Sequence, residues 1–298
     1  MNKPRVRFAP SPTGNVHIGN IRVAIFNWLF ARHEGGEFLL RVEDTDRERS
    51  TDSAVKALLD AMAWLGLDND GEIVFQSKCL QDHMKAATML VDSGKAVKKI
   101  LAGDDRQPVI FILPYDCTNI PFVRTRAQME LNLSIGKELC VNRTGAMFFT
   151  SENGREIEKS SSLAGLYGLK IFNAKGETIF DLDAEKSKID SGNFEFRSVD
   201  GTKIKYFSRE VFFKDHVKGE LSKPLDSMKD FVIVRSDGSP VFHLANVCDD
   251  IAQDVNFIIR GDDHVENTFR HIFLFHALGK TPPRYAHLPM IVNQAGKP

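Results

Sequence analysis

The chain has 298 residues, 42% of them hydrophobic and 27% charged, which excludes a disordered or collagenous polypeptide and supplies the apolar side chains for a sizeable core. Lys plus Arg number 39 against 40 Asp plus Glu, so the net charge of -1 excludes polyanion coating of the whole surface, and any nucleic-acid contact must be local. Cys79, Cys117, Cys140 and Cys248 stand far apart without a Cys-x-x-Cys pair and read as reduced thiols, with neither a disulfide framework nor a zinc knuckle.

At this length, one large domain carrying an insertion, or two domains, is the expectation. The N-terminal residues lack an apolar signal core, and no stretch approaches the roughly 20 apolar residues of a membrane helix, so a cytoplasmic protein without a membrane partner is expected.

The apolar run at residues 6–9 stops at Pro10-Ser11-Pro12-Thr13-Gly14, a cluster of turn residues that ends a strand. From Gly19, the residues Ile21, Ala24, Ile25, Trp28 and Leu29 recur at helical spacing until Gly35-Gly36, a helix stop. Residues 38–42 read as a second buried strand. Residues 5–43 therefore form a strand, loop, helix, strand unit of the length a parallel crossover needs, and predict a doubly wound α/β sheet. Helices follow at 52–65, opened by the Ser50-Thr51-Asp52 capping cluster, and at 80–93.

Between about residues 95 and 229 the texture becomes β-rich, with strand-like runs at 109–113, 169–172 and 178–182. Asp200-Gly201 between two alternating segments is a strong hairpin signal, and Ala174-Lys175-Gly176 a weaker one. This stretch has the look of an inserted domain. After Asp230 the α/β pattern resumes with a strand at 231–234, a turn at Asp237-Gly238, a helix from about 244, a strand at 257–260 and a helix at 265–278. The 22 phenylalanines are scattered through strands and helix faces, which suits core packing better than base stacking.

The segment from Arg7 to Asn20 lies between a strand and a helix start. A helix N-terminus presents unpaired N–H groups and a positive dipole end, so a histidine and a glycine placed there suit a triphosphate and its purine. Gly19 lets a nucleotide approach, and His17 can donate to phosphate oxygens. On residue chemistry alone, a turn with a satisfied histidine is an equally good reading.

Other patterns read as structural. Gly279-Lys280-Thr281 imitates the end of a P-loop, but Leu274 stands where its first glycine belongs, which leaves a helix end. His271 and His276 are five apart on a predicted helix and diverge, so they do not suggest a metal pair. Asp249-Asp250 and Asp262-Asp263 are adjacent and share no helix face, which speaks against paired acid chemistry or Mg²⁺ ligation. Arg47-Glu48-Arg49 suits a solvated loop better than an RNA clamp.

Two blocks carry a family resemblance. The first, residues 7–50, holds APSPTG leading into HIGN, followed by RVEDTDRERS; the second, residues 230–298, holds SDGSPVFHLANVCDD, IIRGDDHVENTFRHIFLFHALG and YAHLPMIVNQAGKP. In these the chain resembles the glutamyl-tRNA synthetases, class I aminoacyl-tRNA synthetases with a Rossmann-like catalytic domain. Glutaminyl relatives look different, with a proline-glutamate lead before the signature and a double aspartate where this chain has Glu43-Asp44.

The resemblance implies a first half of the catalytic domain at 1–95, an inserted acceptor-binding-like β-rich domain at 96–229, and the second half at 230–298. It implies ATP-dependent ligation of L-glutamate to tRNA(Glu) through glutamyl-adenylate by a monomer, with Mg²⁺ accompanying ATP and no zinc. Arg7, Ala9, Ser11, Glu43, Phe242, Asn246 and Arg260 would hold glutamate, with Arg7 and Arg260 near its carboxylates and Glu43 facing its ammonium. His17 and Gly19 would serve catalysis and ATP binding, Asp263 the ribose, and Met290 and Ile291 the adenine.

Arginine forks grip carboxylates, and Arg260 at a strand end would point into the crevice where open α/β sheets bind ligands. Phe242 departs from the tyrosine of many relatives, which removes a hydroxyl and keeps an aromatic wall. The insert lacks the zinc knob of some relatives, and only its closing residues 209–219 are similar to the family's acceptor-binding domain. Family members continue into a second signature close to K-x-S-K-R and a helical anticodon-binding domain, so an N-terminal part is expected. Because such enzymes generally activate glutamate only with tRNA bound, binding is expected to survive in that part where turnover does not. A glutamylating enzyme for a modified tRNA base and a non-catalytic ATP- or tRNA-binding module are the alternatives.

Overall fold

The computed structural model describes residues 3–12, 16–45, 51–99, 107–132, 140–142, 145–152, 155–190 and 203–292. The chain opens with β1 (Arg5–Phe8), α1 (Ile18–Glu34) and β2 (Glu37–Val42), and β1 pairs with β2 in parallel from Arg5↔Glu37 to Phe8↔Leu40. The helix stops where expected. Gly35 takes φ 62°, a left-handed conformation that costs glycine nothing, and the Gly36 N–H returns to the Ala31 carbonyl at 2.8 Å. Gly36 is needed for a second reason, since a Cβ there would overlap the Pro4 carbonyl.

In α2 (Asp52–Trp64) the Thr51 hydroxyl accepts from the Ala54 N–H at 3.2 Å, as the capping cluster predicted. A two-residue β3 (Val74–Phe75) extends the parallel sheet beside β2, and α3 (Leu80–Asp92) follows. Next come β4 (Ala96–Lys98), β5 (Val109–Phe111) and β6 (Val123–Asn132), then the antiparallel set β7 (Cys140–Asn142), β8 (Gly145–Glu152) and β9 (Arg155–Ser161).

The hairpin at Ala174-Lys175-Gly176 joins β10 (Tyr167–Phe172) to β11 (Thr178–Asp181), and α4 (Leu182–Asp190) leaves it. The hairpin signal at Asp200-Gly201 lies outside the described residues. Beyond it, β12 (Lys203–Asp215) is one thirteen-residue strand. It pairs antiparallel with β6 and with β13 (Gly219–Pro224), and absorbs its length through a register shift at Ser208/Arg209.

The last part holds β14 (Phe231–Val234), α5 (Phe242–Ala252), β15 (Phe257–Gly261), α6 (Val265–Ala277) and β16 (Arg284–Leu288). α5 begins at Phe242, earlier than expected. Phe242, Asn246 and Asp250 then fall four residues apart along one face. Gly279, at φ 72°, closes α6 while the Lys280 N–H bonds the Phe275 carbonyl at 2.9 Å, so Gly279-Lys280-Thr281 is a helix end.

β15 runs beside β1, tied by the Asn256 N–H to the Arg5 carbonyl at 3.1 Å, and pairs in parallel with β16. The parallel strands thus stand in the order β3, β2, β1, β15, β16, and chain order reverses between β1 and β15. This is the expected α/β fold with a parallel sheet at its centre. Such a reversal opens a crevice at the carboxyl ends of the strands. β12 reaches this sheet at one pairing, Asp215 opposite Tyr285 on β16.

Val6, Phe8, Phe38, Leu40, Leu58, Phe257, Ile259 and Leu288 form the core around β1 and β15. A larger core joins Leu90, Phe111, Val211, Phe213, Phe231, Leu244 and Phe273, so apolar packing is continuous across residues 95 and 229. A third, with Leu169, Ile171, Ile204 and Tyr206, lies within the β-rich part. Among the described residues, no helix is long and apolar enough to cross a membrane.

Candidate active site

At the carboxyl ends of β1 and β15 lies a cleft of about 1490 Å³. All twelve residues expected at a site line it: Arg7, Ala9, Ser11, His17, Gly19, Glu43, Phe242, Asn246, Arg260, Asp263, Met290 and Ile291. They come from six separate places in the chain, brought together by the strand reversal and by α5.

The floor on one side is an ion-pair network. Arg7 donates from Nε to Asp250 Oδ1 at 2.9 Å and from Nη2 to Asn246 Oδ1 at 3.4 Å, while Arg41 donates from Nη1 to the same Asp250 Oδ1 at 2.7 Å. Asn246 turns its Nδ2 to Glu43 Oε1 at 2.6 Å, and the Arg41 guanidinium stands 3.5 Å from that oxygen. Burial alone would raise the Asp250 carboxyl, but Arg7 and Arg41 outweigh it and hold Asp250 below the ordinary carboxylate range. Glu43 goes the other way: its burial outweighs Arg41 and Arg7, and its carboxyl is raised.

Asp249 accepts from His83 Nε2 at 2.7 Å and from Gln76 Nε2 at 2.7 Å, and stands 3.8 Å from Arg41 Nε. The two aspartates share Arg41 and otherwise brace different partners, Asp250 bracing Arg7 and Asp249 bracing His83 and Gln76. Sequence reasoning missed Arg41, Gln76, His83 and both aspartates as members of the site. The polar residues Asp249 and Asp250 on an otherwise apolar helix face, at i+3 and i+4 from Asn246, were the available signal.

Arg260 sits opposite, in neutral company. Its Nε donates to His287 Nε2 at 3.2 Å, and its Nη2 to Thr268 Oγ1 at 2.6 Å and to the His264 carbonyl at 3.3 Å. Its Nη1 is buried without a partner, and among the described residues no carboxylate forms an ion pair with it. Burial brings this guanidinium down to about 10, with nearby Tyr285 pushing the other way. A buried arginine whose charge is not matched is costly to keep, and it calls for an anion from outside.

The Phe242 ring lines the cleft between these two sides and stacks on His264, centroids 5.7 Å apart. Burial, reinforced by Arg260, lowers His264 to about 4, so that imidazole is neutral. His243 and His271 lie beneath, Nδ1 to Nε2 at 3.2 Å, with His243 lowered to about 4 mainly by burial. His271 is buried, and among the described residues no group of three or more His, Cys, Asp or Glu side chains is placed to hold a metal ion.

The other end of the cleft is open. His17 is the N-cap of α1, its carbonyl accepting from the Asn20 and Ile21 N–H groups at 3.1 and 3.2 Å, and its side chain makes no capping bond. The ring lies over Gly19, where an added Cβ would stand 3.0 Å from two ring atoms. Asp263, Met290 and Ile291 are exposed along the rim. Arg47-Glu48-Arg49, like Thr13 to Asn15, lies outside the described residues.

The family model described as tRNA synthetases class I (E and Q), catalytic domain, matches residues 3–105 and 179–298. A glutamate–tRNA ligase of Wolbachia pipientis wMel is 34% identical over 290 residues, covering 97% of this chain and 52% of the relative. One from Anaeromyxobacter sp. (strain K) is 38% identical over 301 residues, covering 98% of this chain and 50% of the relative. The chain therefore spans about half the length of the curated relatives it matches. In fold it is similar to a glutamate-tRNA synthetase from Elizabethkingia anophelis, with a TM-score of 0.59 at 21% identity, across 100% of this chain and 52% of that one. With the family model covering most of its length, the chain belongs to the class I tRNA synthetases of the E and Q group, whose catalytic domain it carries.

Proposed function

We propose that this cleft binds L-glutamate and Mg·ATP and joins them as glutamyl-adenylate, for transfer to the 3′-terminal ribose of tRNA(Glu). In the first step an oxygen of the α-carboxylate bonds to the α-phosphorus while the bond to pyrophosphate breaks. In the second, a ribose hydroxyl attacks the carbonyl carbon, loses its proton, and AMP departs. The attacking carboxylate is already a nucleophile and pyrophosphate leaves well, so alignment and charge stabilisation carry the rate.

The observation that carries this reading is Arg260, buried, unmatched in charge, with Nη1 unpartnered, in the lining of the cleft. A side-chain carboxylate placed there leaves the α-carboxylate directed toward His17 and Gly19, where a nucleotide fits against a helix N-terminus. Glu43, held by Asn246, takes the ammonium. Met290 and Ile291 receive the adenine and Asp263 the ribose. Mg²⁺ enters on the phosphates, which with water supply most of its oxygen ligands.

Calorimetric titration with L-glutamate and L-glutamine tests this. Glutamate is expected to bind at least about tenfold more tightly, the loss expected when a charged partner of a buried arginine is replaced by a neutral amide. Equal affinities would contradict the role of Arg260 and with it the glutamate reading.

A further inference from the structure

Two hydrogen bonds in line connect the end of β12 to the amino-acid site. Asp215, the last residue of β12, accepts from His287 Nδ1 at 2.6 Å and from the His287 N–H at 3.1 Å. That carboxylate also accepts the Val217 and Lys218 N–H groups at 2.9 Å each, so it is fixed from two sides. Burial alone would raise the Asp215 carboxyl, but the His287 ring and those N–H groups outweigh it and hold it low, as a charged acceptor.

With Nδ1 protonated toward Asp215, the Nε2 lone pair of His287 is free to accept, and it receives the Arg260 Nε–H at 3.2 Å. Thr268 Oγ1 stands 3.1 Å from the same Nε2 and 2.6 Å from Arg260 Nη2, closing a ring of partners on two edges of the guanidinium. Asp215, Thr268, His287 and Arg260 are all buried. The third edge, Nη1, is buried and without a partner, on a side chain that lines the cleft.

We propose that Asp215 and His287 are a positioning pair for Arg260, setting the tautomer of His287 and thereby the roll of the guanidinium that presents Nη1 to the glutamate side chain. The pair touches no substrate and acts through Arg260. It rests on Arg260 being the carboxylate anchor. A planar guanidinium aims its one free nitrogen only when its roll is fixed, and an arginine held by one edge would swing. Because Asp215 belongs to the strand that meets the parallel sheet at a single pairing with Tyr285, the pair also links the orientation of β12 to the amino-acid site.

The test is the affinity for L-glutamate and, separately, for ATP, in the 298-residue chain and in Arg260→Ala, His287→Ala, His287→Gln and Asp215→Asn. His287→Ala is expected to weaken glutamate about 10- to 100-fold with ATP affinity unchanged, and Asp215→Asn to weaken it less. His287→Gln, whose amide oxygen can accept from Arg260 Nε, is expected to restore most of the loss. This variant also decides the matter if His287→Ala fails to fold, since a merely structural histidine would give it no advantage specific to glutamate. If Arg260→Ala loses glutamate while His287→Gln, His287→Ala and Asp215→Asn bind it like the unaltered chain, the positioning pair is wrong and the anchor stands. If Arg260→Ala binds glutamate unchanged, the anchor itself is wrong and the pair falls with it.

Discussion

Arg7, Arg41 and Arg260 are the same kind of side chain in two electrostatic settings. Arg7 and Arg41 share Asp250, with Glu43 and Asp249 close by, so their charges are spent inside the protein. Arg260 has neutral partners and a free edge, which is why we assign it the substrate carboxylate. His17 differs again, since its side chain is exposed at the start of α1 and makes no capping bond there. His17→Ala is expected to slow adenylate formation about 100-fold, as loss of one donor to a developing charge does, while glutamate affinity stays the same. Glutamate-dependent pyrophosphate exchange in the presence of tRNA(Glu), beside direct titration of glutamate, measures both; lost binding with an intact rate per bound complex would refute the role. The twelve residues that line the cleft could be picked out in the sequence because they lie in short motifs that resemble one family. The residues that orient them were not. Asp215 and His287 are 72 positions apart, and His83 and Asp249 are 166 apart, so no local pattern relates them.

At the scale of elements, α5 carries the load because one face presents Phe242, Asn246 and Asp250 in successive turns to the cleft and to both arginines. Asp250→Asn leaves two buried guanidinium groups short of their counter-charge, and is expected to cost about 3–5 kcal/mol of stability in a urea titration. Asp60→Asn, which removes the exposed pair with Lys56, is expected to change it by less than about 0.5 kcal/mol. Similar losses for the two would mean that the floor network is not what holds α5. The helices other than α4, and the buried strands β1, β2 and β15 of the parallel sheet, were readable from apolar spacing and caps, as with Thr51 before α2 and Gly35 after α1. β6 was not, because nearly every residue of it is exposed, and its place is set by pairing along β12 and not by burial.

For the molecule as a whole, the strand reversal between β1 and β15 decides where chemistry happens, and the buried histidines around it decide how the fold responds to acid. His243, His264 and His287 are lowered to about 4 from 6.5, chiefly by burial, and His271 well below 6.5 for the same reason. Between about pH 6.5 and 4 the unfolded chain therefore binds more protons at these positions than the folded one, and stability falls as pH falls through that window. Asp230, raised by burial to about 7, and Glu43 have the opposite sign, being more protonated when folded. Four histidines outweigh two carboxyl groups, so the urea midpoint is expected to drop between about pH 7 and about pH 5; a rise would mean that these imidazoles are charged in the fold. The doubly wound sheet was predictable from the strand, loop, helix, strand unit at the start of the chain. The join of β12 to β16 was not, because it rests on a single pairing and a buried aspartate. The measurement that bears most directly on the site is a crystal structure with a non-hydrolysable glutamyl-adenylate. The glutamate carboxylate is expected within hydrogen-bonding distance of Arg260 Nη1, with the phosphate beside His17 and the adenine against Met290 and Ile291. A ligand bound in the reverse direction, or with its carboxylate on Arg7 and Arg260 left unpartnered, would contradict the assignment of the cleft.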